Sequence, residues 1–113
     1  MKAYTDLEQS KKLAEILPIE SADMCYGIDD DTLKYDDLPW LIPYHEYTFK
    51  EFYIPCWSLA ALLNVLPDTM LGKDKDGYVV MVETMGSGLT AFASDPIDAC
   101  VQMILKLHEQ KLL

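Results

Sequence analysis

The side chains with the most chemical reach in this 113-residue chain are three cysteines, two histidines and a set of clustered aspartates. Cys56 stands just after Pro55, at the start of the apolar run Cys56 to Leu66, where a helix N-terminus would lower a thiol pKa. His45 and His108 are the only imidazoles available to take its proton, so a small thiol-dependent hydrolase is one reading. The competing reading is plainer. A free cysteine is among the most buried residue types, and His108 near a helix end is equally explained by a contact with the helix dipole.

Asp29, Asp30 and Asp31, then Asp36 and Asp37, lie close to Trp40. Such clusters can hold a divalent cation, present a negative face to a basic partner, or solvate a loop, and charge runs usually do the last. Trp40 beside the carboxylates favours a partner-binding face, because aromatic anchors with charged neighbours often dominate binding energy. A buried Trp40 is nevertheless the simpler expectation.

Other patterns are weaker. Gly72 to Glu83 can be laid on a calcium loop, with Asp74, Asp76, Gly77 and Glu83 at suitable positions, but Gly72 supplies no first carboxylate. Asp76-Gly77 is better read as a hairpin turn. No Cys-x-x-Cys or His-x-x-x-His spacing marks a zinc site. Gly86-Ser87-Gly88 precedes a strand-like run and lacks a lysine partner, unlike a phosphate loop. No metal or cofactor is expected.

Composition limits the choices further. The net charge is −10, and all nine cationic residues are lysines. A negative chain without arginine forks is poorly suited to phosphate backbones or base edges, so nucleic acid is not an expected partner. From Glu20 to Glu46 there are eight acidic residues against Lys34 alone, so this segment carries seven of the ten net negative charges. Odd, scattered cysteines and a start without an apolar signal core fit a cytoplasmic protein, and no apolar stretch is long enough to span a bilayer.

The elements that must position these residues follow from caps, breakers and periodicity. Thr5 to Glu8 has the form of a capping box, and Pro18 closes a helix over about 6–17. Residues 24–28 and 33–35 read as short strands around the Asp29 to Asp31 turn, and 47–54 as a further strand. Trp40-Leu41-Ile42 is an extended piece that tucks its apolar groups inward. A helix over about 57–66, flanked by Pro55 and Pro67, is apolar nearly all round. It must then be sandwiched within the fold or shared in a homodimer. Residues 78–82 and 89–93, with a short strand at Met70-Leu71, make an antiparallel meander whose middle strand is covered on both faces. Asp95 caps, and Pro96 opens, a last helix to about residue 110.

The segments Ile54 to Pro67 and Asp95 to Leu107, with their Pro-Cys-Trp-Ser-Leu-Ala and Asp-Pro-x-Asp-Ala elements, resemble uncharacterised short proteins of bacterial prophages and mobile elements. The resemblance covers about the second half of the chain and the first helix, and implies no activity. Cys56-Trp57 bears a faint likeness to the start of the catalytic helix of papain-like proteases, with Ile54-Pro55 replacing the usual Gly-Ser approach.

The expected fold is a single α+β domain over 1–113, a small antiparallel sheet packed against about three helices. The expected function is that of a non-enzymatic, protein-binding accessory protein acting through Asp29, Asp30, Asp31, Asp36, Asp37 and Trp40.

Overall fold

The computed structural model describes residues 1–28, 32–41, 53–84 and 87–113. The expected turn at Asp29 to Asp31, Ile42, His45, most of the strand at 47–54, and Gly86 of the second turn lie outside them.

The fold is α+β, with three helices and two small antiparallel sheets among the described residues. Helix α1 runs Leu7–Ala14. Its capping box sits one residue later than the spacing at Thr5 and Glu8 suggested. Asp6 accepts from the Gln9 amide, and the Gln9 side chain accepts from the Asp6 amide. Thr5 is instead buried, with its hydroxyl bonded elsewhere. The helix also stops before residue 17; Pro18 precedes a single 3-10 turn at Ile19–Ser21.

Strand β1 (Met24–Tyr26) pairs with β2 (Ile54–Cys56), setting Met24 opposite Cys56 and Tyr26 opposite Ile54. This corrects the expectation that helix begins near residue 57. Cys56 belongs to a strand, and helix α2 runs Leu59–Val65 behind Ser58, whose hydroxyl accepts from the Ala61 amide. Asp23 holds that cap in place by accepting from both the amide and the hydroxyl of Ser58. Ala61 and Leu62 of α2 are buried, whereas Ala60 and Asn64 face solvent, so an apolar composition has not produced a helix enclosed all round.

The second sheet is the meander β3 (Thr69–Asp74), β4 (Gly77–Thr84) and β5 (Ser87–Ala93), in that order. The Asp74 carboxylate accepts from the amides of Asp76 and Gly77, which shapes the first turn. Only glycine fits at Gly77, with φ of 154°, because an added Cβ would come within 2.5 Å of the Ala93 carbonyl oxygen. Helix α3 (Pro96–Glu109) starts as its residues dictate, with Asp95 accepting from the Ile97 amide and Pro96 in the first turn.

One face of the meander, including Val80, Val82 and Ala91, packs on α3 and shares a core with Trp57, Leu62, Ile97, Met103, Ile104 and Leu107. Among the described residues nothing covers the other face, contrary to the reading of the middle strand. Met70, Met81 and Phe92 are 67%, 42% and 49% exposed there. The continuous apolar run in β4 is therefore half core and half surface. No helix among the described residues is long and apolar enough to cross a membrane.

Candidate functional site

The acidic segment is tied to β1. The Cys25 amide donates to the Trp40 carbonyl at 3.0 Å, and the Trp40 amide donates back at 2.7 Å, so residue 40 acts as a third strand position beside β1. Nearby, Ile28 bridges Tyr35, and the Asp36 amide donates to the Gly27 carbonyl at 2.8 Å. These bonds fix the backbone around Asp36, Asp37 and Trp40 against a buried strand.

The side chains go outward. Trp40 is 47% exposed, and its indole N–H donates to the Asp36 carboxylate at 3.1 Å. Leu38 and Leu41 are 68% and 82% exposed. The expectation that Trp40 and Leu41 tuck inward is thus corrected. Backbone pairing with Cys25 commits residue 40 to the rim of β1, and the indole reaches back over the acidic segment rather than into the core. Asp29, Asp30 and Asp31 lie outside the described residues, so the structure brings together Asp36, Asp37 and Trp40 of the sequence candidates.

A cleft of about 460 Å³ opens between this segment and the chain start, with Lys2, Tyr4, Tyr26, Tyr35, Asp36 and Asp37 on its walls. The Lys11 ammonium lies 5.7 Å from the Tyr35 ring centroid, at the outer range of a cation–aromatic attraction. Lys2 is engaged by Asp98 at 2.8 Å and Asp6 at 3.0 Å. Its hydrogen bond to Asp98, joined by the pull of Asp6, outweighs partial burial and raises its pKa. Burial acts to raise the Asp6 carboxyl, but the Gln9 amide and Lys2 more than offset it and hold it below the ordinary value.

Beneath the cleft lies a polar nest that spacing did not reveal. Thr5, Ser10 and Cys56 are fully buried. The Thr5 carbonyl accepts from the Tyr26 hydroxyl at 2.8 Å and from the Cys56 thiol at 3.4 Å. The Thr5 hydroxyl accepts from the Trp57 amide at 3.1 Å and shares a hydrogen bond with Ser10 at 2.8 Å. Burial pushes the Cys56 thiol up despite its hydroxyl neighbours, and burial also raises Tyr26. Cys56 therefore has neither the helix N-terminus nor the lowered pKa on which the thiol reading was built. His108 is exposed in the last turn of α3, and His45 lies outside the described residues.

Among the described residues, no three His, Cys, Asp or Glu side chains gather as a metal ion would require. Asp74 and Asp76, the residues that suggested a calcium loop, form the β3–β4 turn. No protein-family model matches the chain, and comparison with curated proteins and with solved structures yields no match either.

Proposed function

We propose that this chain is a non-enzymatic protein-binding module whose acidic segment receives a basic partner. The observation that carries the reading is the exposure of Leu38, Trp40 and Leu41 directly beside Asp36 and Asp37. A loop that served only for solvation would have no reason to hold two leucines and a tryptophan in water, whereas apolar anchors ringed by charge are the usual make-up of an interface. The β1 bonds to residue 40 hold the backbone of that surface in place before any partner arrives, which lowers the ordering cost of binding.

The test is capture of a partner from an extract of the source cell, at low and at high salt. Wild type should retain a partner that salt releases, and the combined variant Asp36→Asn, Asp37→Asn, Trp40→Ala should lose it. A second variant, Asp29→Asn with Asp30→Asn and Asp31→Asn, asks whether the remaining aspartates share the work. Retention of the same partner by both variants would remove the acidic segment from the function.

A further inference from the structure

We propose that the outer face of the β3–β4–β5 sheet is a second docking surface, built for a basic amphipathic helix of a partner protein. The register sets Met70, Met81 and Thr90 in one cross-strand row and Gly72, Val79 and Phe92 in the next. Side chains alternate along strands, and the neighbouring residues Leu71, Val80 and Ala91 point to the core. The outer rows are left with Met70, Met81 and Phe92 substantially in water. At one end, a hollow of about 500 Å³ lies over Met70, Met81, Thr90 and Gly88.

The charges around that hollow select its occupant. Asp68 and Glu83 line it and are exposed, and no lysine does so among the described residues. Lys73 lies in the inner row, its ammonium 5.9 Å from the centroid of the Tyr78 ring, and the Lys106 ammonium is bonded to the Thr90 carbonyl at 2.6 Å. An apolar floor with carboxylates at its rim is complementary to apolar side chains flanked by cations. A second copy of the chain fits poorly, because it would set Asp68 and Glu83 against like charges on a molecule already at −10.

The dimensions suit a helix. Three strands at about 4.8 Å spacing span about 10 Å between the outer two, close to the width of one helix with its side chains. Three exposed residues make a stripe narrower than the patch of about 800 Å² per partner in a standard interface, which suits the apolar face of a single helix. Methionines add an adaptable floor, since their unbranched side chains repack at little cost.

The probe is a fluorescently labelled helical peptide of leucine and lysine alone, with leucine at i, i+3, i+4 and i+7, followed by anisotropy. Wild type should bind it with an affinity that falls with salt, and should not bind a leucine–glutamate peptide of the same pattern. Met70→Ser with Met81→Ser should weaken binding by about tenfold or more, equivalent to about 1.4 kcal/mol. Gly88→Ala should leave the melting temperature intact, because among the described residues an added Cβ there meets only the Val82 carbonyl oxygen, at 3.9 Å, and it should weaken binding by narrowing the hollow. Asp68→Asn with Glu83→Gln should flatten the salt dependence, and the Met70 and Met81 substitutions should weaken binding by the same factor in a background that carries Asp36→Asn with Asp37→Asn, where any contact of the peptide with the acidic segment is removed. Absence of binding, equal binding by the serine variant, or loss only in the Asp36 and Asp37 variant would overturn the proposal. Sedimentation showing a wild-type dimer that the serine variant dissolves would also overturn it, by giving the face to a second copy.

Discussion

Replacement of Thr5 by valine tests the buried nest directly, because it keeps the branched shape and removes one hydroxyl. The Trp57 amide then loses its acceptor at 3.1 Å, and Ser10 loses its partner at 2.8 Å, both in a place water does not reach. Ser10 can turn to the Thr5 carbonyl, but that acceptor is 3.5 Å away and already takes Tyr26. Each buried polar group left unpaired costs about 1–3 kcal/mol, so Thr5→Val should destabilise the fold by about 3 kcal/mol. At a scale of about 4 °C per kcal/mol, the melting temperature should fall by about 12 °C. Ser10→Ala alone should cost about 1 kcal/mol. The double variant should cost about 3 kcal/mol rather than the sum, since no orphaned serine hydroxyl remains; the coupling of about 1 kcal/mol is the signature of a shared hydrogen bond. Urea denaturation with an unchanged slope is the assay. If Thr5→Val lies within about 0.5 kcal/mol of wild type, or the two substitutions add, the nest does not hold the fold as described.

The cysteines give a second expectation. Cys25, Cys56 and Cys100 are buried, so an alkylating reagent near pH 8 should modify them only as the protein unfolds; rapid modification of native Cys56 would revive a thiol enzyme. Their titration also sets a pH limit. Burial pushes Cys100 up to about 11 from 9.0 and raises Cys56, so the unfolded thiols ionise first. Stability is full below about pH 9 and falls as pH rises toward 11, with Cys100 alone removing roughly 2–3 kcal/mol; denaturation midpoints measured from pH 8 to 11 check the slope, and Cys100→Ala should flatten it. Gly77→Ala should destabilise by about 1–3 kcal/mol through its clash with Ala93 and its backbone angle, and a melting temperature equal to wild type would refute that geometry.

Local chemistry was legible where a residue acts on its own neighbours. Asp95 and Pro96 start α3, Asp74 and Gly77 form a turn, and both can be read without knowing what lies across the fold. Legibility failed where distant segments compete for the same group. Thr5 had the spacing of a helix cap, but Trp57, Ser10 and Cys56 occupy its hydroxyl, and the cap passed to Asp6. Cys56 had the look of a helix start, yet β1 claims it through Met24. Of the candidate site, Asp36 and Asp37 were evident as charge, but the exposure of Trp40 depended on its pairing with Cys25, which no periodicity encodes. The outer sheet face was hidden for a related reason. A run of apolar residues in β4 does not say which alternate members have a helix above them.

Lys2 and Thr5 find their partners far along the chain. The Lys2 amide donates to Asp95, its ammonium reaches Asp98, and Thr5 exchanges backbone and side-chain bonds with Trp57. During synthesis at roughly 5–20 residues per second, Thr5 waits several seconds for Trp57, and Lys2 waits nearly twice as long for α3. Closing such long loops adds little entropy cost at equilibrium, because that cost grows only with the logarithm of length. The delay is kinetic. The hydroxyls of Thr5 and Ser10 stay outside their nest on the emerging chain until Trp57 has been made, and Lys2 finds its carboxylates only with α3, so the N-terminal segment locks in two steps separated by about forty residues of synthesis.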